Sequence, residues 1–406
     1  MTATDRQSAT AVASAAGASD LSYAAPRLRL DSIDLLRGLV MVLMALDHTR
    51  DFFASGGPNP RDLADPALFL TRWVTHFCAP IFIFLAGVSA YLYGRRSRSV
   101  GEVSWLLLTR GLWLVLIEFT VMRFCWTFSF HIHFFVLQVI WVIGASMIVL
   151  AGLVHLPRWV IATIGLAMIA GHNLLDHIRD EDLGSVAWLW KLLHQPGPIE
   201  IGPQITLFVL YTVVPWSGVM AAGYALGPVF GLEPRRRRSF LLTAGIAVTA
   251  AFVVLRATNL YGDPTAWSMQ SSFFGTLLSF INCEKYPPSL LFLMMTLGPA
   301  LILVALCERA RGALTSCIIN FGRVPFFFYV VHIAFIHALA VGFAWITLGD
   351  IGWTFGSFLS QKPAAYGLNL LGIYAVWLCV VIALYPPCHW FASLKRERRE
   401  WWWSYL

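Results

Sequence analysis

The sequence predicts an all-α, polytopic membrane helix bundle of about ten transmembrane helices with both termini cytoplasmic. Three observations carry this. Of 406 residues, 58% are hydrophobic and only 13% charged, whereas soluble domains carry about 25% charged residues. Apolar runs long enough to cross about 30 Å of hydrocarbon recur along the chain. Basic residues gather in alternate connections between those runs, as the positive-inside rule requires.

The first 26 residues are mainly Ala, Ser and Thr with a few charges. They lack the leucine-rich core of a cleaved signal peptide and read as a disordered cytoplasmic tail. The membrane domain is expected over 27–394 and a basic, aromatic cytoplasmic tail over 395–406, where Trp401 to Trp403 suit an interfacial belt. Spans are expected near 35–54, 76–94, 104–123, 133–153 and 159–176, then near 204–228, 239–258, 289–307, 323–347 and 366–390. With the N-terminus inside, the inner connections hold Arg95, Arg96 and Arg98, then Arg158, Arg235 to Arg238, Arg309 and Arg311, and finally Lys395, Arg396, Arg398 and Arg399. The outer connections are longer and poorer in positive charge. This arrangement accounts for the net charge of +7 through topology and excludes a nucleic-acid-binding role.

The first span differs from the others because ionisable residues stand at both its ends. Arg37 and His48 are eleven positions apart, which puts them within about 20° on one helix face and about 16 Å apart along the axis. Asp34 and Asp51 lie near the same stripe. Charge so deep in lipid costs about 2.5 to 3.5 kcal/mol per group near the bilayer centre, so this face is expected to look into protein or a wet cavity. His48 lies within Asp47-His48-Thr49-Arg50-Asp51, and Asp51 at i,i+3 is placed to orient the imidazole as a general base. Asp47, His48, Asp51 and His76, at the start of the second span, form the candidate catalytic set. A charge-tolerant interfacial helix end is the plainer reading of the same residues, and Asp34 with Arg37 reads first as an ion pair. Pro80 and Gly87 in the second span permit a bend and close helix packing.

Late in the chain, Tyr329 and His332 share a face of the ninth span while His337 points elsewhere. Asn320 and Arg323 are expected near the inner end of that same helix. Glu284 and Lys285 belong to an outer segment, Asn282 to Ser289, placed to receive an acceptor substrate. The outer histidines His131, His133, His172 and His177 lack metal-site spacing, so no metal is expected. Seven scattered cysteines form no CxxC motif or pairing pattern and read as small apolar packers. No Walker, GxGxxG or GxSxG motif occurs, which argues against classical ATPases and hydrolases.

The opening RLDSIDLLRGLVMVLMALDHTRDFF, the span HFCAPIFIFLAGVSAYL, VPW at 214–216, KYPPSLLFLMMTLGP and FGRVPFFFYVVHI together resemble bacterial membrane proteins grouped with the heparan-α-glucosaminide N-acetyltransferase catalytic domain. More broadly, the Arg-Gly opening and late Tyr-x-x-His helix are similar to transmembrane acyltransferases that modify envelope sugars. The resemblance implies transfer of an acetyl or related acyl group from cytosolic acyl-CoA to an extracytoplasmic glycan amine or hydroxyl. It implies acetyl-CoA or another acyl-CoA as co-substrate, held by Arg37, Arg323 and Asn320. Tyr329, His332, Glu284 and Lys285 would face the substrate, and the setting would be a bacterial cytoplasmic membrane. Arg37 and Gly38 match the Arg-Gly motif. The lysosomal enzyme has Asn at the position of His48 and its proposed catalytic His in the following loop, which here, Asn59 to Asp65, contains none. His48 and His76 are therefore the local candidates, His48 as a general base or as a transient acyl carrier. A non-enzymatic transporter or flippase of a sugar-linked substrate is the alternative reading of the intramembrane charges.

Overall fold

Helix formation follows the apolar runs, and the breaks follow proline and small polar residues. The computed structural model describes residues 30–55, 61–356 and 362–398; the tail expected over 1–26, part of the Asn59 to Asp65 loop and Trp401 to Trp403 lie outside them. Helix α1 spans Asp31–Phe53, α2 Pro66–Thr75 and α3 Cys78–Gly94. Asp65 starts α2, its side chain accepting from Leu68 N at 3.0 Å with Pro66 at the first turn, the position where a missing N–H costs nothing. Helix α4, Val100–Ile117, passes through a π-helical turn, Glu118–Met122, into α5, Arg123–Thr127. Glu118 Oε2 accepts from Trp141 N at 2.9 Å, so this buried carboxylate satisfies the start of α6, Val139–Leu153.

Next come α7 (Arg158–Gly171), α8 (Ala187–Leu193), α9 (Val213–Leu226), α10 (Pro234–Thr258) and α11 (Phe273–Ile281). The chain closes with α12 (Leu290–Cys307), α13 (Ala313–Arg323), α14 (Pro325–Leu348) and α15 (Leu370–Glu397). Among the described residues, eight helical stretches are long and apolar enough to cross a membrane. The two remaining predicted spans correspond to α1, whose ends are charged, and to the 15-residue α6.

Four expected spans change at their starts. The spans expected at 133–153 and 204–228 open with strands, β1 (Phe134–Leu137) and β3 (Ile205–Val209), which pair in parallel, while β2 (Gly197–Ile201) adds antiparallel to β3. Short runs of β-branched and aromatic residues cannot be told from buried helix by periodicity, and here they are strands. The second span begins earlier than expected, with α2 joined to α3 through His76 and Phe77. The span expected at 323–347 starts at Pro325 as α14, and the break at Val324 puts Asn320 and Arg323 on α13 and not on the helix of Tyr329 and His332. Pro325 fixes that break, because the residue before a proline is driven out of the helical region.

Helix α1 packs against α2, α3, α12, α13, α14 and α15, so its polar stripe faces protein. Asp34, His48, Thr49 and Arg50 are all buried. The α1–α13 seam is a backbone-to-backbone contact: a Cβ on Gly38 would stand 1.9 Å from Ile318 O, and one on Gly322 would stand 1.8 Å from Asp34 O. The glycine of the Arg-Gly pair is thus required by close helix approach. Gly87 packs α3 on α9 in the same manner.

Candidate active site

The C-terminal half of α1 organises its own charge. Arg50 Nη2 bridges Asp47 Oδ1 at 2.7 Å and Asp51 Oδ1 at 2.9 Å, while Thr75 Oγ1 donates to Asp47 Oδ1 at 2.8 Å and ties in the end of α2. Lys362 Nζ donates to the carbonyls of Asp51 and Ala54, closing the helix end as a cation does at a C-terminal dipole. Burial pulls the Lys362 ammonium down to about 8.

Asp51 was expected to orient His48, but it turns to Arg50, and His332 takes that place. His48 Nδ1 lies 2.7 Å from His332 Nε2, and His332 Nδ1 lies 2.8 Å from Phe328 O. A carbonyl oxygen only accepts, so the network assigns the proton of neutral His332 to Nδ1 and its lone pair to Nε2. His48 must then donate from Nδ1, which leaves the lone pair on its Nε2 unused. His48 is wedged edge-on between Trp126 and Tyr329, with ring centroids 5.1 and 6.1 Å away. Trp126 Nε1 and the Tyr329 hydroxyl are both buried, and neither has a partner within hydrogen-bond geometry. A lone pair and two unpaired donors therefore stand on neighbouring rings, where unsatisfied polar groups are costly unless a ligand uses them. His337 faces away, between the carbonyls of Cys125 and Thr354, each 3.0 Å off.

Beside these rings lies a cavity of about 260 Å³ formed by the end of α1, the end of α2 and the loop before α12. Four cationic side chains (Arg50, Arg61, Arg72 and Lys285) face it against two carboxylates, Asp47 and Asp51. Arg61 is offset by Glu284, 2.7 Å away, whose other oxygen accepts from the backbone N–H groups of Lys285 and Tyr286. Lys285 stands over the Tyr286 ring at 5.1 Å. Burial alone would lower its ammonium, but Tyr286 and Asp47 outweigh that and hold it above its ordinary value. His76 lines the same cavity, is 6% exposed and has no partner on either ring nitrogen. The cavity thus suits an anionic, hydrogen-bonding molecule.

At the other end of α1, Arg37 Nη1 meets Asp34 Oδ1 at 3.2 Å, which is the expected ion pair, and Nη2 donates to Ser89 at 3.1 Å. Arg323 lies on the same seam, 3.7 Å from Asp31, and Asn320 donates to Tyr385 Oη at 3.2 Å. The candidate residues therefore divide into two ends of one helix. His48, Asp47, His76, Tyr329, His332, Glu284 and Lys285 gather at the C-terminal end of α1, and Arg37, Arg323 and Asn320 at its N-terminal end. Trp126 and Arg72 escape sequence reasoning, because each is an ordinary residue of its run until the fold aims it inward, whereas Tyr286 lies in the segment expected to receive the acceptor. Cys78, Cys125, Cys283 and Cys388 are buried and no disulfide forms among the described residues, in keeping with packing.

A membrane-embedded helix bundle with a buried histidine pair and a cationic cavity beside it is the class this geometry defines. The family profile of the heparan-alpha-glucosaminide N-acetyltransferase catalytic domain matches residues 29–260, and the chain belongs to that family, one of membrane acetyltransferases. The matched stretch contains Arg37, His48, His76 and Trp126; Lys285, Arg323, Tyr329 and His332 follow it. No curated protein matches the chain.

Proposed function

We propose that this protein moves an acetyl group from cytosolic acetyl-CoA to an amine or hydroxyl of a glycan bound in the cationic cavity on the opposite side of the membrane. The observation that carries the reading is the buried His48–His332–Phe328 relay near the C-terminal end of α1, a base oriented by a second group. Its ionic neighbours, Asp47, Arg50, Asp51 and Lys285, are the cavity's own.

In this mechanism His48 Nε2 takes the proton of the acceptor as its nitrogen or oxygen attacks the thioester carbonyl. The carbon–sulfur bond then breaks, the CoA thiolate leaves, and the proton passes to it. Such a base contributes about 10²- to 10⁴-fold. Trp126 Nε1–H and Tyr329 O–H supply donors for the developing oxyanion, each worth about 10²- to 10³-fold. His76, Arg72 and Lys285 hold the acceptor. Arg37, Arg323 and Asn320 receive the CoA phosphates at the cytosolic end of α1, about 16 Å from His48, a separation that an extended pantetheine arm spans. Both termini are cytoplasmic in this reading, with ten spans.

Calorimetry of the purified full chain against CoA tests it. Binding is expected, and Arg37→Lys is expected to weaken it, since a point charge does not replace a planar fork. No CoA binding at millimolar ligand by well-folded protein would overturn the proposal.

A further inference from the structure

Away from the proposed acetyl-transfer site, His172, Asp176 and His194 come together where α7 ends. His172 opens a 3-10 turn, His172–Leu175, and Asp176 caps it. His194 caps the end of α8 and arrives from the far side of the Asp180–Val186 turn. Their donor atoms all lie within 4.8 Å of one another, and His194 Nε2 is 3.2 Å from Asp176 Oδ1. Donor atoms around a tetrahedral zinc stand about 3.3 Å apart, so one pair is already at binding distance and His172 needs only to close in.

Two observations mark the cluster as a ligand site and not a satisfied polar patch. His172 is 2% and His194 3% exposed, yet neither ring nitrogen of His172 nor Nδ1 of His194 has a hydrogen-bond partner. The Pro288 carbonyl approaches His172, but no contact of either ring nitrogen meets hydrogen-bond geometry. Asp176 is also already oriented: Asn173 Nδ2 donates to its Oδ2 at 2.9 Å, leaving Oδ1 directed at His194, while Asn173 Oδ1 accepts from Leu290 N at 2.9 Å. Ligating carboxylates are held in this way by outer hydrogen bonds.

We propose that His172, Asp176 and His194 form a site for a zinc-type divalent cation, which pins the end of α7 to α8 and, through Asn173, to the segment carrying Lys285 and Tyr286. Two imidazoles and one carboxylate suit a borderline metal such as zinc and disfavour magnesium, which seeks oxygen ligands. Three protein ligands leave the fourth position to water. Sequence spacing alone hides the site because His194 lies 22 positions from His172 and joins it only through the fold.

Purified full-length protein equilibrated with buffered nanomolar zinc, then desalted, is expected to carry about one zinc per chain by elemental analysis. His172→Ala and His194→Gln are each expected to lower zinc to background, and Asp176→Asn to weaken retention. The double variant His131→Ala, His133→Ala serves as a control and keeps its zinc. Zinc is also expected to raise the Tm of the wild-type protein and leave that of His172→Ala unmoved. Folded wild-type protein without zinc, or equal zinc in wild type and His194→Gln, would overturn the proposal.

Discussion

Replacing His332 with Leu removes the acceptor that fixes the His48 ring while keeping the site apolar and close in volume. In the native protein the 2.7 Å contact leaves His48 Nδ1 with one acceptor, and that acceptor's tautomer is set by Phe328 O at 2.8 Å. Without it, the buried Nδ1–H has no partner, a loss of about 1 to 3 kcal/mol. The ring can recover that loss by moving its proton to Nε2 or by rotating, and either change removes the base. Converted at 1.36 kcal/mol per tenfold, His332→Leu is expected to lower kcat about 5- to 150-fold, less than loss of His48 itself. His332→Gln, whose amide oxygen accepts, is expected to recover part of this. The assay is thioester consumption by purified protein across pH. A positioning role predicts a shifted acidic limb of the kcat profile with the KM for acetyl-CoA nearly unchanged, whereas a packing role predicts loss of thermal stability with the profile in place. A kcat and profile equal to wild type in folded His332→Leu would refute the relay.

Gly38→Ala forces a Cβ to within 1.9 Å of Ile318 O and is expected to cost about 1 to 3 kcal/mol. Thermal unfolding checks this against Gly152→Ala, where nothing lies within 4 Å. Lys362, pulled down to about 8 by burial, loses its proton in the folded chain before the unfolded one does, near 10.4. The unfolded state therefore binds more protons between those values, and stability is expected to rise with pH across that window relative to Lys362→Met; a flat difference in Tm would refute it. Reporter fusions after Arg98 and after Arg238 are both expected to report cytoplasm, and an extracytoplasmic signal from either would break the ten-span topology.

Much of the bundle is legible in the sequence because membrane spans announce themselves by length and by the charge of their flanks. The polar stripe of α1 is legible for the same reason, since Arg37 and His48 have no cause to share a lipid-facing side. What is not legible depends on distance in the chain. Nothing local says that His332, 284 positions away, and not Asp51, three positions away, meets the His48 ring. In the folded bundle Arg50 satisfies both neighbouring carboxylates, which frees the imidazole for α14. The strands at Phe134–Leu137 and Ile205–Val209 escape detection because four or five apolar residues fit either periodicity. The break at Val324 is written in Pro325, yet the apolar run continues across it.

The most direct measurement compares wild type with His48→Ala, following thioester consumption from acetyl-CoA by full-length protein in detergent, with CoA affinity recorded for both. The account predicts at least about a 100-fold loss of turnover with CoA affinity unchanged, because the phosphates bind at the far end of α1. Normal turnover in folded His48→Ala protein, or loss confined to His76→Ala, would contradict it.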